Sequence, residues 1–373
     1  MARRISLVFD VGGTVDEWYS KGLFDREKRL FEELVSRGHA SKVYWLGYGV
    51  GDKRFETCLN TDKIKIVPRP CNHSPFLYSF SMPLIQSRVF QKTDVIRTVQ
   101  LSAAWTALFA SKLYKKALVA RSGYTWSLFA QHRNHSERLD IFASLVECLL
   151  YKACHAAITS TRSQKNYVTK RYNIEKEKVF VVPNYVDTDL FKPSSKEKYA
   201  DRLIFVGRLE KQKNLQGLVQ ALADLDYQLD IYGSGSERDI LETMARRLNV
   251  KIQLAGNVPN TSLPEILARY PLFVLPSLYE GMPKSLLEAM ACGLAVLGTD
   301  VAGTNEIVTH KESGWLVGSD PSDLRTGIQV LMENERLRRS LGGKATQCIR
   351  EKYSLDSVVE MERRVHDFAV KRT

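Results

Sequence analysis

The sequence predicts an α/β protein made of two doubly wound domains with parallel sheets. Three observations point to it. Short β-branched runs alternate with stretches of helical spacing along the chain. The 373 residues, 44% of them hydrophobic, suffice for two domains that each bury a core. Between two series of strand candidates lies Phe191-Lys-Pro-Ser-Ser-Lys-Glu-Lys-Tyr199, a polar, proline-containing linker. We therefore expect a first domain over 1–186, a second over 187–354, and a C-terminal helix over 355–373 that packs back on the first.

In the first half, strands are expected at Ile5–Phe9, Lys42–Leu46, Ile64–Val67, Asp94–Thr98, Ala117–Ala120 and Ala157–Thr159, with Val179–Val182 closing the series. Long helices are expected at Arg26–Arg37, Ala103–Leu113 and Arg138–Lys152, with Asp25 as N-cap of the first. The second half repeats the pattern at Arg202–Val206, Gln228–Tyr232, Lys251–Leu254, Leu272–Leu275, Ala295–Gly298 and Trp315–Val317. Helical spacing returns from Leu355 to about Val370. Two such domains would face each other across a cleft, with ligands at the C-terminal edges of the sheets.

Six scattered cysteines show no C-x2-C pairing and no metal-ligand spacing, which suits a reducing compartment. Met1-Ala-Arg-Arg runs directly into the first strand, and no apolar run reaches bilayer-spanning length. We expect a cytoplasmic protein, soluble or peripheral on a membrane. The net charge of +12 is uneven: residues 1–186 hold 29 Lys and Arg against 16 Asp and Glu, whereas residues 187–373 hold 25 against 26. A basic face is often simply solvated. Its functional meaning would be attraction to an anionic membrane surface or an acidic acceptor; no motif for nucleic acid accompanies it.

Glycines close several strands of the second half. Gly207 ends the first, followed by Arg208-Leu-Glu-Lys-Gln-Lys213-Asn214. A glycine there admits a ligand close to backbone, a helix would start near Asn214, and Arg208 and Lys213 could reach a diphosphate. Gly233 and Gly235 follow the next strand; Arg238 stands where a dinucleotide fingerprint needs its third glycine. Gly256-Asn-Val258-Pro259 ends another strand, where backbone groups could pair with a base. The richest stretch is Glu280-Gly281-Met282-Pro283-Lys284-Ser285-Leu-Leu-Glu288-Ala-Met-Ala-Cys-Gly293. Pro283 suits the first helical position and Gly293 the exit. Glu280 then precedes a partly positive helix start, and Glu288 lies about 7 Å further along the axis. Two carboxylates so placed can hold two sets of hydroxyls, as on a sugar and on a ribose.

From Arg202 to Val317 these motifs resemble the donor-binding domain of family 4 retaining glycosyltransferases, which have the GT-B fold. Glu280…Glu288 matches the family's E-x7-E motif, preceded by G-R-L-E-K-Q-K-N and followed by Gly303-Thr-Asn-Glu-Ile-Val308 and Ser313-Gly-Trp-Leu-Val317. The resemblance implies that Glu280 and the stretch Gly281, Met282, Pro283, Lys284 and Ser285 hold the donor sugar, that Glu288 holds the ribose, and that Arg208 and Lys213 bind the diphosphate of a nucleoside diphosphate sugar. It further implies retention of anomeric configuration, no metal ion and no cofactor, and a glycan or lipid-linked acceptor in surface polysaccharide or glycolipid synthesis.

In the first half, Asp10-Val-Gly12-Gly13-Thr14 also resembles the phosphate loop of actin-like sugar kinases and the start of haloacid-dehalogenase phosphatases. The first would need strands joined by hairpins and a second phosphate motif; the second would need an Asp where Gly12 stands. In the GT-B family Gly12 and Gly13 fit a loop that approaches donor phosphates and acceptor. Arg121 and Ser122 stand where many members carry a histidine; Arg121 could supply positive charge there but cannot act as a base. His132 and His135 suit local hydrogen bonding, and Asp187-Thr-Asp189 resembles the family's linker start rather than a metal site. Two rivals share this architecture: a GT-B-like epimerase or phosphorylase, and a silent nucleotide-sugar-binding protein.

Overall fold

A computed structural model of the chain describes residues 2–70, 73–123, 125–129 and 137–373. His132 and His135 lie outside the described residues. The chain divides into two compact units. One comprises the residues up to Pro183 together with Val358–Thr373, and the other comprises Asn184–Ser357.

The first unit is a sheet of seven parallel strands: β1 (Arg3–Val8), β2 (Ala40–Leu46), β3 (Ile64–Val67), β4 (Val95–Thr98), β5 (Ala117–Ser122), β6 (Ala156–Thr159) and β7 (Val179–Val181). Their order is β3-β2-β1-β4-β5-β6-β7, so the winding reverses between β1 and β4. In register, Ile5 pairs with Val43 on one side and Val95 on the other. Helices on both faces bury the strands, which is why they read as apolar runs rather than as alternation. Trp45, wholly buried, sits among the rings of Phe9, Trp18, Phe24 and Phe31. Hairpin-joined strands, the mark of the kinase alternative, do not open this unit, since β1 and β2 are parallel.

The second unit holds six parallel strands: β8 (Arg202–Val206), β9 (Gln228–Tyr232), β10 (Lys251–Gly256), β11 (Leu272–Leu275), β12 (Ala295–Thr299) and β13 (Trp315–Val317), in the order β10-β9-β8-β11-β12-β13. Its winding reverses between β8 and β11. At such a reversal the helices on either side diverge, leaving open the carboxyl ends of the strands.

Several local expectations are corrected. The helix Phe24–Ser36 begins at a cap on Leu23, because the Leu23 N–H is held by the Trp18 carbonyl at 2.7 Å and its own carbonyl accepts from Glu27. Asp25 is thus a first-turn acid, not the N-cap, and its charge still suits that helix end. Pro283 is the N-cap of the helix Lys284–Ala291, one residue before the expected position, since its ψ of 112° is extended. After β8, Lys211–Lys213 form a 3-10 turn, Asn214 takes a left-handed φ of 51°, and the helix starts at Leu215.

The C-terminal helix, Leu355–Lys371, joins the first unit from Val358 onward. Arg97 on β4 forks onto Glu362, with contacts of 2.6 and 3.2 Å, and both are buried. Phe368 meets Phe180 edge-on, and Arg3 reaches Asp367. Among the described residues no helix is long and apolar enough to cross a membrane.

Candidate active site

In the second unit three adjacent strands end in glycine turns that hydrogen-bond to one another. Gly207 donates to the Tyr232 carbonyl at 2.9 Å, Leu209 to Ser234 at 2.9 Å, and Gly233 to Gly256 at 2.8 Å. The β8–β9 pairing therefore continues past the strand ends. Glycine is obligatory at its tightest point: a Cβ on Gly233, whose φ is +141°, would lie 1.9 Å from the Gly207 carbonyl oxygen. Gly256 has a left-handed φ of +75° and open space around it. Val258, just beyond, packs against the core.

Glu280 lies against this edge. The 3-10 turn Lys211–Lys213 is clamped to it: Gln212 donates to the Tyr279 carbonyl at 2.8 Å, and Leu278 donates to the Gln212 carbonyl at 2.9 Å. This brings Lys213 Nζ onto Glu280 Oε1, which also accepts from Ser277 Oγ at 2.6 Å. Lys213 and Glu280 are 11% and 6% exposed, so they form a nearly enclosed ion pair. The turn at Gly303 presses on the same segment; a Cβ there would lie 2.2 Å from the Gly281 carbonyl oxygen. Met282 is buried, its carbonyl accepting from Asn184 Nδ2 at 2.8 Å.

Glu288, on the helix Lys284–Ala291, is buried and accepts from Asn260 Nδ2 at 3.0 Å. It helps push the Cys292 thiol up to about 12, after the larger effect of burial. Arg208 differs from its neighbours: it is exposed and has no ion pair among the described residues. The unit thus gathers one engaged cation, one open cation and two enclosed carboxylates beside backbone turns. Such a set can bind an anion together with a polyhydroxylated partner.

In the first unit, Gly12 has a left-handed φ of +83°, and Gly13 donates to the Asp10 carbonyl at 2.7 Å. The short helix behind this loop, Val15–Ser20, has its first N–H groups taken: Asp52 accepts from Val15 at 2.7 Å and Asp16 at 3.3 Å, and Thr14 Oγ1 accepts from Glu17. The loop borders a depression of about 380 Å³ lined also by Phe9, Trp18 and Lys21. Asp10 faces it, a carboxyl not singled out on its own from the sequence. Burial raises its pKa, against the opposing bond from Ser102 Oγ at 2.6 Å. Its place at the end of β1 was the signal available.

Arg121 belongs to β5, where its N–H donates to Thr98 Oγ1 at 2.9 Å. Burial pushes the Glu362 carboxyl up, but the charge of Arg97, with a smaller contribution from Arg121, outweighs it and holds the group below its ordinary value. Ser122 is buried near Thr125. Asp187 accepts from the N–H groups of Asp189 and Leu190, a local turn.

Residues 28–190 match the family described as Glycosyltransferase Family 4, and residues 186–347 match Glycosyl transferases group 1. An uncharacterized glycosyltransferase of Methanocaldococcus jannaschii is 26% identical over 94% of this chain and 95% of its own. The N-acetylgalactosamine-N,N'-diacetylbacillosaminyl-diphospho-undecaprenol 4-alpha-N-acetylgalactosaminyltransferase of Campylobacter jejuni is 30% identical over 53% of this chain and 56% of that enzyme. Anabaena HepE, solved in complex with UDP and glucose, superposes with a TM-score of 0.77 at 16% identity, covering 97% of this chain and 98% of that one.

Proposed function

Because this chain belongs to the family 4 glycosyltransferases with the GT-B fold, we propose that its sugar transfer uses a nucleoside diphosphate sugar and retains the anomeric configuration. The observation that carries this is the grouping of Lys213, Glu280 and Ser277 beside the open Arg208 and the three glycine turns. Before the donor binds, Glu280 neutralises Lys213. Donor hydroxyls can replace the lysine on the carboxylate, leaving the ammonium to turn toward the diphosphate. Arg208 supplies a second, uncommitted positive charge. Bond cleavage puts negative charge on the departing diphosphate, and these two cations stabilise it in place of a metal ion. Glu288, held by Asn260, takes the ribose hydroxyls.

The complex of HepE with UDP and glucose supports a nucleotide-sugar donor of the hexosyl type. The Campylobacter relative, whose name specifies a diphospho-undecaprenol acceptor, supports a lipid-linked or glycan acceptor in polysaccharide or glycolipid synthesis. Gly12, Gly13 and the Asp10 depression are the acceptor side of this proposal. Arg121, a β5 residue whose N–H is tied to Thr98, would supply positive charge there.

A panel of UDP-, GDP- and dTDP-sugars assayed for nucleotide release, with NMR of the product's anomeric proton and with chelator added, tests each part. Release with retained configuration in chelator is expected. An inverted product overturns the stereochemistry. Binding without release on any donor, with lipid-linked acceptors supplied, makes the chain a silent binder, and an epimerised sugar makes it an epimerase.

A further inference from the structure

The helix Pro75–Ile85, Pro-Phe-Leu-Tyr-Ser-Phe-Ser-Met-Pro-Leu-Ile, contains no charged residue. Its inner side is accounted for: Tyr78, Ser79, Met82 and Pro83 are buried. Trp105 Nε1 donates to Ser79 Oγ at 2.9 Å, and Tyr114 donates to the Pro83 carbonyl at 2.9 Å, tying it to the helix Ala104–Tyr114. Its outer side is apolar too. Phe76, Leu77, Phe80 and Leu84 each leave more than half of their surface open.

The neighbouring helices continue this face. Phe80 stacks on Trp105 with ring centroids 5.9 Å apart, and Phe109 and Leu113 follow at helical spacing from Trp105. Beside that helix packs Glu137–Ala153, with Ile141, Leu145 and Leu149 exposed along one stripe. Together these side chains open roughly several hundred Å² of apolar surface, the scale that marks an interaction site on a soluble domain.

The charge around the face is one-sided. Residues 63–153, which span all three helices, hold 13 Lys and Arg against four acids, Asp94, Glu137, Asp140 and Glu147. Of these acids, Asp94 is engaged by the backbone N–H and guanidinium of Arg4, and Glu147 accepts from Ser127 Oγ and the Tyr172 hydroxyl. Arg88, Lys92, Lys112 and Lys115, on or next to the first two helices, are exposed. Apolar side chains on helices bordered by uncompensated cations match the interface of an anionic bilayer, where apolar groups enter the acyl boundary and lysines meet headgroup phosphates. Two copies of the face set against each other would bring like charges together.

We propose that this three-helix face of the first unit docks on an anionic lipid bilayer. The inference rests on the reading of a membrane-linked acceptor, but not on the donor chemistry. The test is sedimentation of the full chain with vesicles of pure phosphatidylcholine or of equal parts phosphatidylcholine and phosphatidylglycerol. Binding to the mixed vesicles at low salt, falling steeply with added salt, is expected. The triple change Phe76→Ser, Leu77→Ser, Leu84→Ser should weaken it at least about tenfold. The pair Lys112→Glu, Lys115→Glu should flatten its salt dependence. Both variants should keep the wild-type melting temperature and nucleotide release in solution. Failure of the wild type to bind at low salt overturns the inference, as does a triple variant that binds like wild type. So does light scattering that shows a dimer split by the triple change with vesicle binding untouched, which assigns the face to a second copy. Wild type that docks but releases nucleotide from no donor defeats the donor reading alone.

Discussion

Glu280 has two duties in this protein, and they separate by substitution. It neutralises Lys213 in a nearly enclosed pair; in the proposed reaction it holds the donor sugar. Removing one member of a buried pair leaves the other charge uncompensated, at a cost of about 3 kcal/mol or more. Glu280→Ala should therefore lower stability as well as activity. Glu280→Gln retains shape and an acceptor for Ser277 while losing charge. It should melt closer to wild type yet lose on the order of 100-fold or more in donor turnover. Thermal melts beside nucleotide-release rates check this; wild-type turnover by the glutamine variant would sink the site assignment. Arg208 is the contrasting case, since it is exposed and its charge is not structural. Arg208→Ala should leave the melt unchanged within about 0.5 kcal/mol while reducing turnover.

The glycine turns act as one element because each is hydrogen-bonded to the next, so their substitutions should rank by space rather than by residue type. Gly233→Ala drives a Cβ into the Gly207 carbonyl and should cost on the order of 3 kcal/mol or prevent folding. Gly256→Ala meets no neighbouring atom and incurs only the left-handed backbone penalty of about 1 kcal/mol. Urea unfolding of both variants measures the order. The C-terminal helix carries a pH dependence of its own. Burial lowers the His366 pKa from its ordinary 6.5 to about 4, with Glu362 and Asp367 opposing the shift and Arg97 and Arg3 adding to it. The unfolded chain then binds the proton first. Stability should fall by up to about 3 kcal/mol as the pH drops from about 6.5 to 4. Glu362, held below its ordinary value once Arg97 and its neighbours outweigh burial, adds a further loss at still lower pH. His366→Gln should flatten the first window, read from urea midpoints at pH 7 and 4.5; an unchanged slope would show that other groups set it.

At the scale of the molecule, the first unit is completed by the last sixteen residues of the chain, Val358–Thr373. Without them Arg97 would lose its carboxylate partner Glu362, and Phe180 its contact with Phe368. Truncation after Ser357 should unfold the first unit while the second, which contains all of its own strands, keeps nucleotide affinity. Calorimetry with UDP and limited proteolysis would detect this, and an intact first unit after truncation would refute it.

The succession of strands and helices along the chain and the two-domain α/β class were legible before any coordinates, because they depend on local chemistry. β-branched runs favour strands, and glycines mark places where backbone must pass backbone. The E-x7-E spacing sets one carboxylate just before the helix Lys284–Ala291 and the other on it. What the tertiary structure alone decided was partnership. Lys213 and Glu280 stand 67 residues apart, and Arg97 and Glu362 stand 265 apart. Asp52 occupies the helix start behind Gly12 and Gly13. Which apolar side chains stay uncovered, as on Pro75–Ile85, was likewise hidden. A residue type states what a side chain can do, but its partner and its exposure are set by whichever distant segment the fold brings against it.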